Sequence, residues 1–297
     1  MIRREFVQST AGAVIAPWLR AAGCPDFQLR FGVAQFDKYD PLADIDRLEA
    51  WGFDYCEPAV VSVMALSDER FLAAKRKAEA GRIRVEAMNI FLPPDLKVVG
   101  PSVEQTRLDE YLKKALGRAE ALGAKLIVFG SGAARRVPDG FPHDQAWRQL
   151  QDFLRKVGDE IEKRKYGMLI GIEALRSAES NIVNKQRDAY RLAQETQHPK
   201  VRMICDFFHL ASEGEDPKLV LGIKDRLVHL HFSNPTGGRW FPRDAAESAG
   251  YRPFFESLRA IGYRGRLSLE ANTSDFERDA PAGLATVRKL YQAACGD

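Results

Sequence analysis

From Leu29 onward the chain alternates short, continuously apolar runs with longer stretches in which apolar residues recur every three or four positions. The short runs are Leu29–Phe36, Phe53–Ala59, Arg84–Phe91, Lys125–Phe129, Met168–Glu173, Val201–Cys205, Leu227–Phe232 and Arg266–Ala271. Each reads as a strand, and their near-continuous apolarity is that of parallel strands covered on both faces. The longer stretches read as amphipathic helices. The clearest is Val103–Leu122, where Ser102 and Gln105 predict a capping box. Glycines at 52, 123 and 262 each stand where a left-handed residue would close a helix before the next strand. Strands alternating with helices imply parallel pairing through crossovers, and eight such units predict a closed (β/α)8 TIM barrel. An open doubly wound sheet is the rival fold. It would carry a glycine-rich phosphate loop after the first strand, whereas Gly32-Val33-Ala34-Gln35-Phe36-Asp37 contains none. No linker or low-complexity segment divides residues 29–297, so one catalytic domain is expected there.

Residues 1–28 have a different character. Arg3-Arg4-Glu5-Phe6 precedes a mildly apolar stretch, Ala11 to Leu19, and then the small residues Ala21-Ala22-Gly23. Paired arginines, a modest hydrophobic region and a small-residue cleavage zone predict a twin-arginine export signal and a periplasmic protein. A helical N-terminal arm on a cytoplasmic protein is the alternative. No apolar run approaches the roughly 18 residues of a spanning helix. With 44 Lys+Arg against 41 Asp+Glu, the formal charge of +3 is too mild to suggest a nucleic-acid groove. Four cysteines include no CxxC, which removes zinc ribbons and thioredoxin-like sites. Cys56 and Cys205 lie in apolar runs and read as core, while a Cys24–Cys295 disulfide is conceivable.

In a barrel, side chains at the C-terminal strand ends converge on one mouth. Here they are Glu57, Asn89, Ser131, Glu173, Asp206, His231 and Glu270. Buried carboxylates are costly unless paired or bound to a cation. Three acids and a histidine after strands five to eight therefore ask for a positive charge between them. The oxygen-rich set Glu173, Asp206, His231 and Glu270 suits one divalent ion, Mn²⁺ in the first place, with Co²⁺, Mg²⁺ or Zn²⁺ as alternatives. Glu57 is either a substrate contact or a supporting residue. Among aromatics near the mouth (Phe36, Phe91, Phe208, Trp240, Phe241), Trp240 and Phe241 are the pair expected to face a ligand rather than the core. The arginines of the loop Gly130–Pro138 would either meet an anionic substrate or form a solvated turn.

These residues also carry a resemblance. Ile172-Glu173-Ala174-Leu175 with Glu179 following, Cys205-Asp206-Phe207-Phe208-His209, His229-Leu230-His231 and Leu267-Ser268-Leu269-Glu270 resemble the sugar isomerase/epimerase family of xylose-isomerase-like TIM barrels, over residues 29–290. That family includes D-tagatose/D-psicose 3-epimerases, hydroxypyruvate isomerase and inosose dehydratase. The resemblance implies that Glu173, Asp206, His231 and Glu270 ligate the metal and that Glu173 and Glu270 are the proton-transfer pair. It further implies that Glu179 and His209 hydrogen-bond the substrate, joined by an arginine for which Arg239 is the nearest candidate and Arg243 a competitor. The implied activity is isomerisation or epimerisation of a keto-sugar or related polyol through a metal-stabilised enediolate, by a homo-oligomer. The alternatives are a lyase or dehydratase acting on an inosose or 3-keto-glycoside, and a non-catalytic sugar-binding barrel. A nuclease on the same fold would draw on many histidines, whereas this chain has five, none before His143.

Overall fold

The computed structural model describes residues 24–36, 38–243 and 245–296, with the side chains of 245–249 left aside. Its strands are β1 (Gln28–Ala34), β2 (Tyr55–Glu57), β3 (Arg84–Val85), β4 (Ala87–Met88), β5 (Leu126–Phe129), β6 (Leu169–Ile172), β7 (Val201–Asp206), β8 (Leu227–Phe232) and β9 (Arg264–Leu269). They form one parallel sheet in the order β3-β2-β1-β9-β8-β7-β6-β5-β4. The two ends of that order are consecutive in the chain. The run expected as one strand, Arg84–Phe91, breaks at Glu86 into β3, paired with β2, and β4, paired with β5. Glu86 itself bridges the gap, its N–H donating to Cys56 O and its C=O accepting from Lys125 N–H. The nine segments thus make the eight staves of a nearly closed barrel.

Alternate residues along each strand face opposite sides of a sheet. Val85, Met88, Ile127, Phe129, Cys205, Leu230, Phe232, Leu267 and Leu269 belong to the large apolar core shared with the surrounding helices. A separate small cluster, Ala87, Leu126, Val128 and Ile204, fills one side of the barrel interior. The residues that alternate with the outer core on β2, β8 and β9 are polar, namely Tyr55, Glu57, His229, His231 and Ser268, and all are buried. Strand periodicity therefore delivers the chemistry to the inside of the barrel.

Gly52, Gly123 and Gly262 all have positive φ (90°, 88° and 63°), as their closing role requires. The capping box at Ser102 does not form. Gln149 holds both the N–H and the C=O of Gly100, Ser102 stays in the following turn, and the helix runs Gln105–Leu122 without a side-chain cap. The folded chain reaches back past Leu29: Phe27 is fully buried, and Cys24 is disulfide-bonded to Cys295 at the end of the last helix. Cys56 and Cys205 are free and buried. The export segment expected over residues 1–28 lies, up to residue 23, outside the described residues. No helix among the described residues is long and apolar enough to cross a membrane.

Candidate metal centre

Four strand ends bring Glu173 (just after β6), Asp206 (last of β7), His231 (β8) and Glu270 (just after β9) together. One ligand atom from each lies within 4.8 Å of the others, and all four residues are buried. His231 Nδ1 is 3.2 Å from both Glu173 Oε1 and Glu270 Oε2. Asp206 is fixed by capping the helix Phe207–Ser212, with Oδ1 accepting from Phe208 N–H at 2.8 Å, which leaves Oδ2 toward the cluster. Gly130 makes room for Glu173, since a Cβ added there would overlap its Oε2. Asn89 Nδ2 donates to Glu270 Oε1 at 2.6 Å. Ser131 instead accepts from Leu92 N–H and shapes the neighbouring loop.

Arg239 reaches in from the loop after β8. Its Nη2 donates to Asp206 Oδ2 at 2.5 Å and also to Glu270 Oε2. Even so, three acids face one guanidinium and one imidazole, and the cluster makes up the difference with protons. Burial, reinforced by the Glu270 and Asp206 charges and only partly offset by His231, pushes the Glu173 carboxyl up to about 7. The same loss of water raises Asp206. Burial alone would lower His231, but the Glu270 and Glu57 carboxylates override it and hold the imidazole well above its ordinary range. Glu270 is desolvated too, yet the His231 and Arg239 charges pull it down to about 2. A site that collects protons in this way has the donor set for a cation, one imidazole nitrogen and three carboxylate oxygens without sulfur. These residues could hold a divalent ion.

The expected substrate residues separate into three groups. His209, Glu179 and Arg239 border the cluster. His209 Nε2 lies 3.5 Å from Asp206 Oδ2, 4.0 Å from Glu179 Oε2 and 3.3 Å from Arg239 Nη1. Burial, then the Arg239 charge, hold His209 well below its ordinary range, so it is a neutral imidazole. Trp240 stands apart, half-buried, with its indole N–H on Gly237 O and Arg243 5.6 Å from its ring. Glu57 is not a mouth residue. It is fully buried and bonded to His229 and His231, each at 2.9 Å, and to Ser268.

Two further expectations are corrected. Phe241 is core, fully buried against Tyr39 and Phe276. The aromatics beside the site are Phe36 and Phe208, whose ring centres lie 4.6 and 4.8 Å from the Arg239 guanidinium. Arg135 neither faces a substrate nor sits in a solvated turn. It is fully buried and donates to Phe129 O (3.1 Å) and Glu173 O (2.8 Å), pinning the backbone that carries Glu173. Arg176 escaped sequence reasoning. It pairs with Glu179 at 2.6 Å and lies over Phe208 at 4.9 Å, and its position three residues before a candidate glutamate was the available signal.

Comparison with known proteins agrees with the fold. The family model described as xylose isomerase-like TIM barrel matches residues 45–290. A 3-dehydroshikimate dehydratase of Pseudomonas putida is 31% identical over 190 residues, 57% of this chain, although the match spans only 28% of that protein. A 3-dehydro-D-guloside 4-epimerase of Escherichia coli is 26% identical over 202 residues, 63% of this chain and 75% of the epimerase. Among solved structures, D-psicose 3-epimerase of Clostridium cellulolyticum superposes with a TM-score of 0.76 at 19% identity, over 88% of this chain and 99% of that one. These relatives are named as enzymes, two epimerases and a dehydratase.

Proposed function

The chain belongs to the xylose isomerase-like TIM barrel family, and on that premise we propose that it is a divalent-cation-dependent isomerase or epimerase of a keto-sugar or related polyol. The observation that carries this is the convergence of Glu173, Asp206, His231 and Glu270 within 4.8 Å. A divalent ion held there, Mn²⁺ by preference, would supply Lewis acidity toward a carbonyl oxygen and so acidify the neighbouring C–H bond. Glu173 and Glu270 are the outer members of the arc, with β7 and β8 between their strands, and they approach the reacting carbon from two sides. His209, Arg239 and Glu179 orient the hydroxyl and carbonyl end of the substrate, and Phe36 and Phe208 flank it.

The test is a screen of keto-sugars, inososes and oxidised glycosides with Mn²⁺, reading solvent deuterium at the carbon beside the carbonyl. Glu173→Gln and Glu270→Gln should each slow exchange by about 10²–10⁴-fold. Exchange that survives both substitutions sinks the two-base scheme. The dehydratase relative favours a second reading, in which the same proton abstraction is followed by loss of a β-substituent. An unsaturated product in place of an epimer identifies it.

In this proposal the export segment expected over residues 1–28 ends before Cys24, because Cys24, Phe27 and Gln28 belong to the folded barrel, which is the catalytic domain. The Cys24–Cys295 disulfide supports an oxidising compartment.

A further inference from the structure

Below the mouth cluster lies a second convergence of polar groups, each fully buried. Strand register places Asp206, His231, Ser268, Gly32 and Tyr55 side by side across β7, β8, β9, β1 and β2. Gly32 has no side chain, so the Tyr55 ring occupies that space, and a Cβ at position 32 would overlap it. The Tyr55 hydroxyl thereby reaches Ser268 Oγ at 2.8 Å. Ser268 Oγ meets Glu57 Oε2, His229 Nε2 lies 2.9 Å from the same oxygen, and His231 Nε2 lies 2.9 Å from Glu57 Oε1.

One arrangement of hydrogens satisfies every contact in this group. An ionised carboxylate only accepts, so Ser268 O–H, His229 Nε2–H and His231 Nε2–H all donate to Glu57, and Tyr55 O–H donates to Ser268. His229 Nδ1, which has no hydrogen-bond partner, is then a bare lone pair. That costs less than a buried N–H left without an acceptor. His231 is the member shared with the mouth, and its Nδ1 faces Glu173 and Glu270.

We propose that Glu57 is a positioning residue: by accepting the Nε2–H of His231 it selects the tautomer whose Nδ1 lone pair faces the mouth as the metal-binding atom, with His229 and Ser268 holding the Glu57 carboxylate in place. This rests on the cation-binding reading of the mouth cluster. A carboxylate that orients a ligating histidine is typically worth 10–100-fold in metal affinity. Glu57→Gln keeps the shape but removes the charge and replaces one of the two accepting oxygens with a donating NH₂, so it weakens the selection.

Calorimetric titration with Mn²⁺ alone, on wild type and on Glu57→Gln, tests this. The expected result is affinity weaker by about 10–100-fold in the variant. Equal affinity in both overturns the role of Glu57 and leaves the mouth site standing, whereas a wild type that binds no Mn²⁺ overturns the mouth site and this inference together. Should Glu57→Gln fail to fold, nitrogen-15 NMR of the imidazoles in Zn²⁺-loaded wild type decides the matter. His231 should carry its proton on Nε2 and none on Nδ1, and a proton on Nδ1 contradicts the proposal. The Nε2–H proton should also resonate downfield through its bond to Glu57, and an undisplaced signal leaves Glu57 without the positioning role.

Discussion

Two clusters of titratable groups share His231 and differ in how their charges are met. The lower one sets a single carboxylate, Glu57, among three donors from His229, His231 and Ser268. That carboxylate is satisfied by its own neighbours. The upper one sets three carboxylates against Arg239 and one imidazole and retains protons on Glu173 and His231 to compensate. Burial alone does not distinguish them, since both are almost wholly out of water. The difference teaches that a satisfied buried carboxylate is scaffold, whereas a surplus of buried negative charge is a place for a cation.

That contrast can be broken by substitution. The largest effect should be on catalysis: Glu270→Gln lowers solvent exchange by about 10²–10⁴-fold with its substrate. Next comes stability of the metal-free protein, where only the lower cluster should lose stability. Removing one partner from a buried pair costs about 3–5 kcal/mol, so Glu57→Gln should lower the urea midpoint sharply. Glu173→Gln removes a surplus acid and should leave that midpoint unchanged or raise it. A similar loss in both variants would erase the distinction between the clusters.

Acidity gives a smaller and sharper test. Cation and protons compete for Glu173, whose carboxyl titrates at about 7, and for His231, which holds its proton above its ordinary range. Mn²⁺ affinity should therefore rise with pH through 7, by about tenfold per unit for each proton displaced. Calorimetry in buffers of different ionisation enthalpy should register proton release, and affinity flat or falling with pH contradicts the upper cluster's proton surplus. The smallest effect is expected at Gly130→Ala. The new Cβ overlaps the far end of the Glu173 side chain, so thermal stability should hold while Mn²⁺ binding weakens several-fold. Loss of fold there would mean that Glu173 cannot move aside.

The barrel was legible because short, mostly apolar runs alternate regularly with amphipathic stretches, an order that implies parallel strands joined by helical crossovers. Its closure was less so, because the break at Glu86 depends on two neighbours pulling on one peptide in different directions. Period-two alternation placed Glu57 correctly on the inner face but carries no information about its partners, and its carboxylate is bonded to His229, His231 and Ser268. Phe241 proved to be core and Phe208 the ring beside the site, because loop paths after the strands decide which ring meets Arg239. Arg135 looked solvated beside Arg136. Burying it pins two backbone carbonyls, which no local pattern announces. The Cys24–Cys295 bond joins residues 271 apart, a distance over which spacing carries no signal.

Anomalous diffraction from crystals grown with Mn²⁺ reaches the central claim most directly. One peak per chain should appear, enclosed by His231 Nδ1 and carboxylate oxygens of Glu173, Asp206 and Glu270. An empty mouth, or a peak lodged instead between Glu57 and His229, would contradict it.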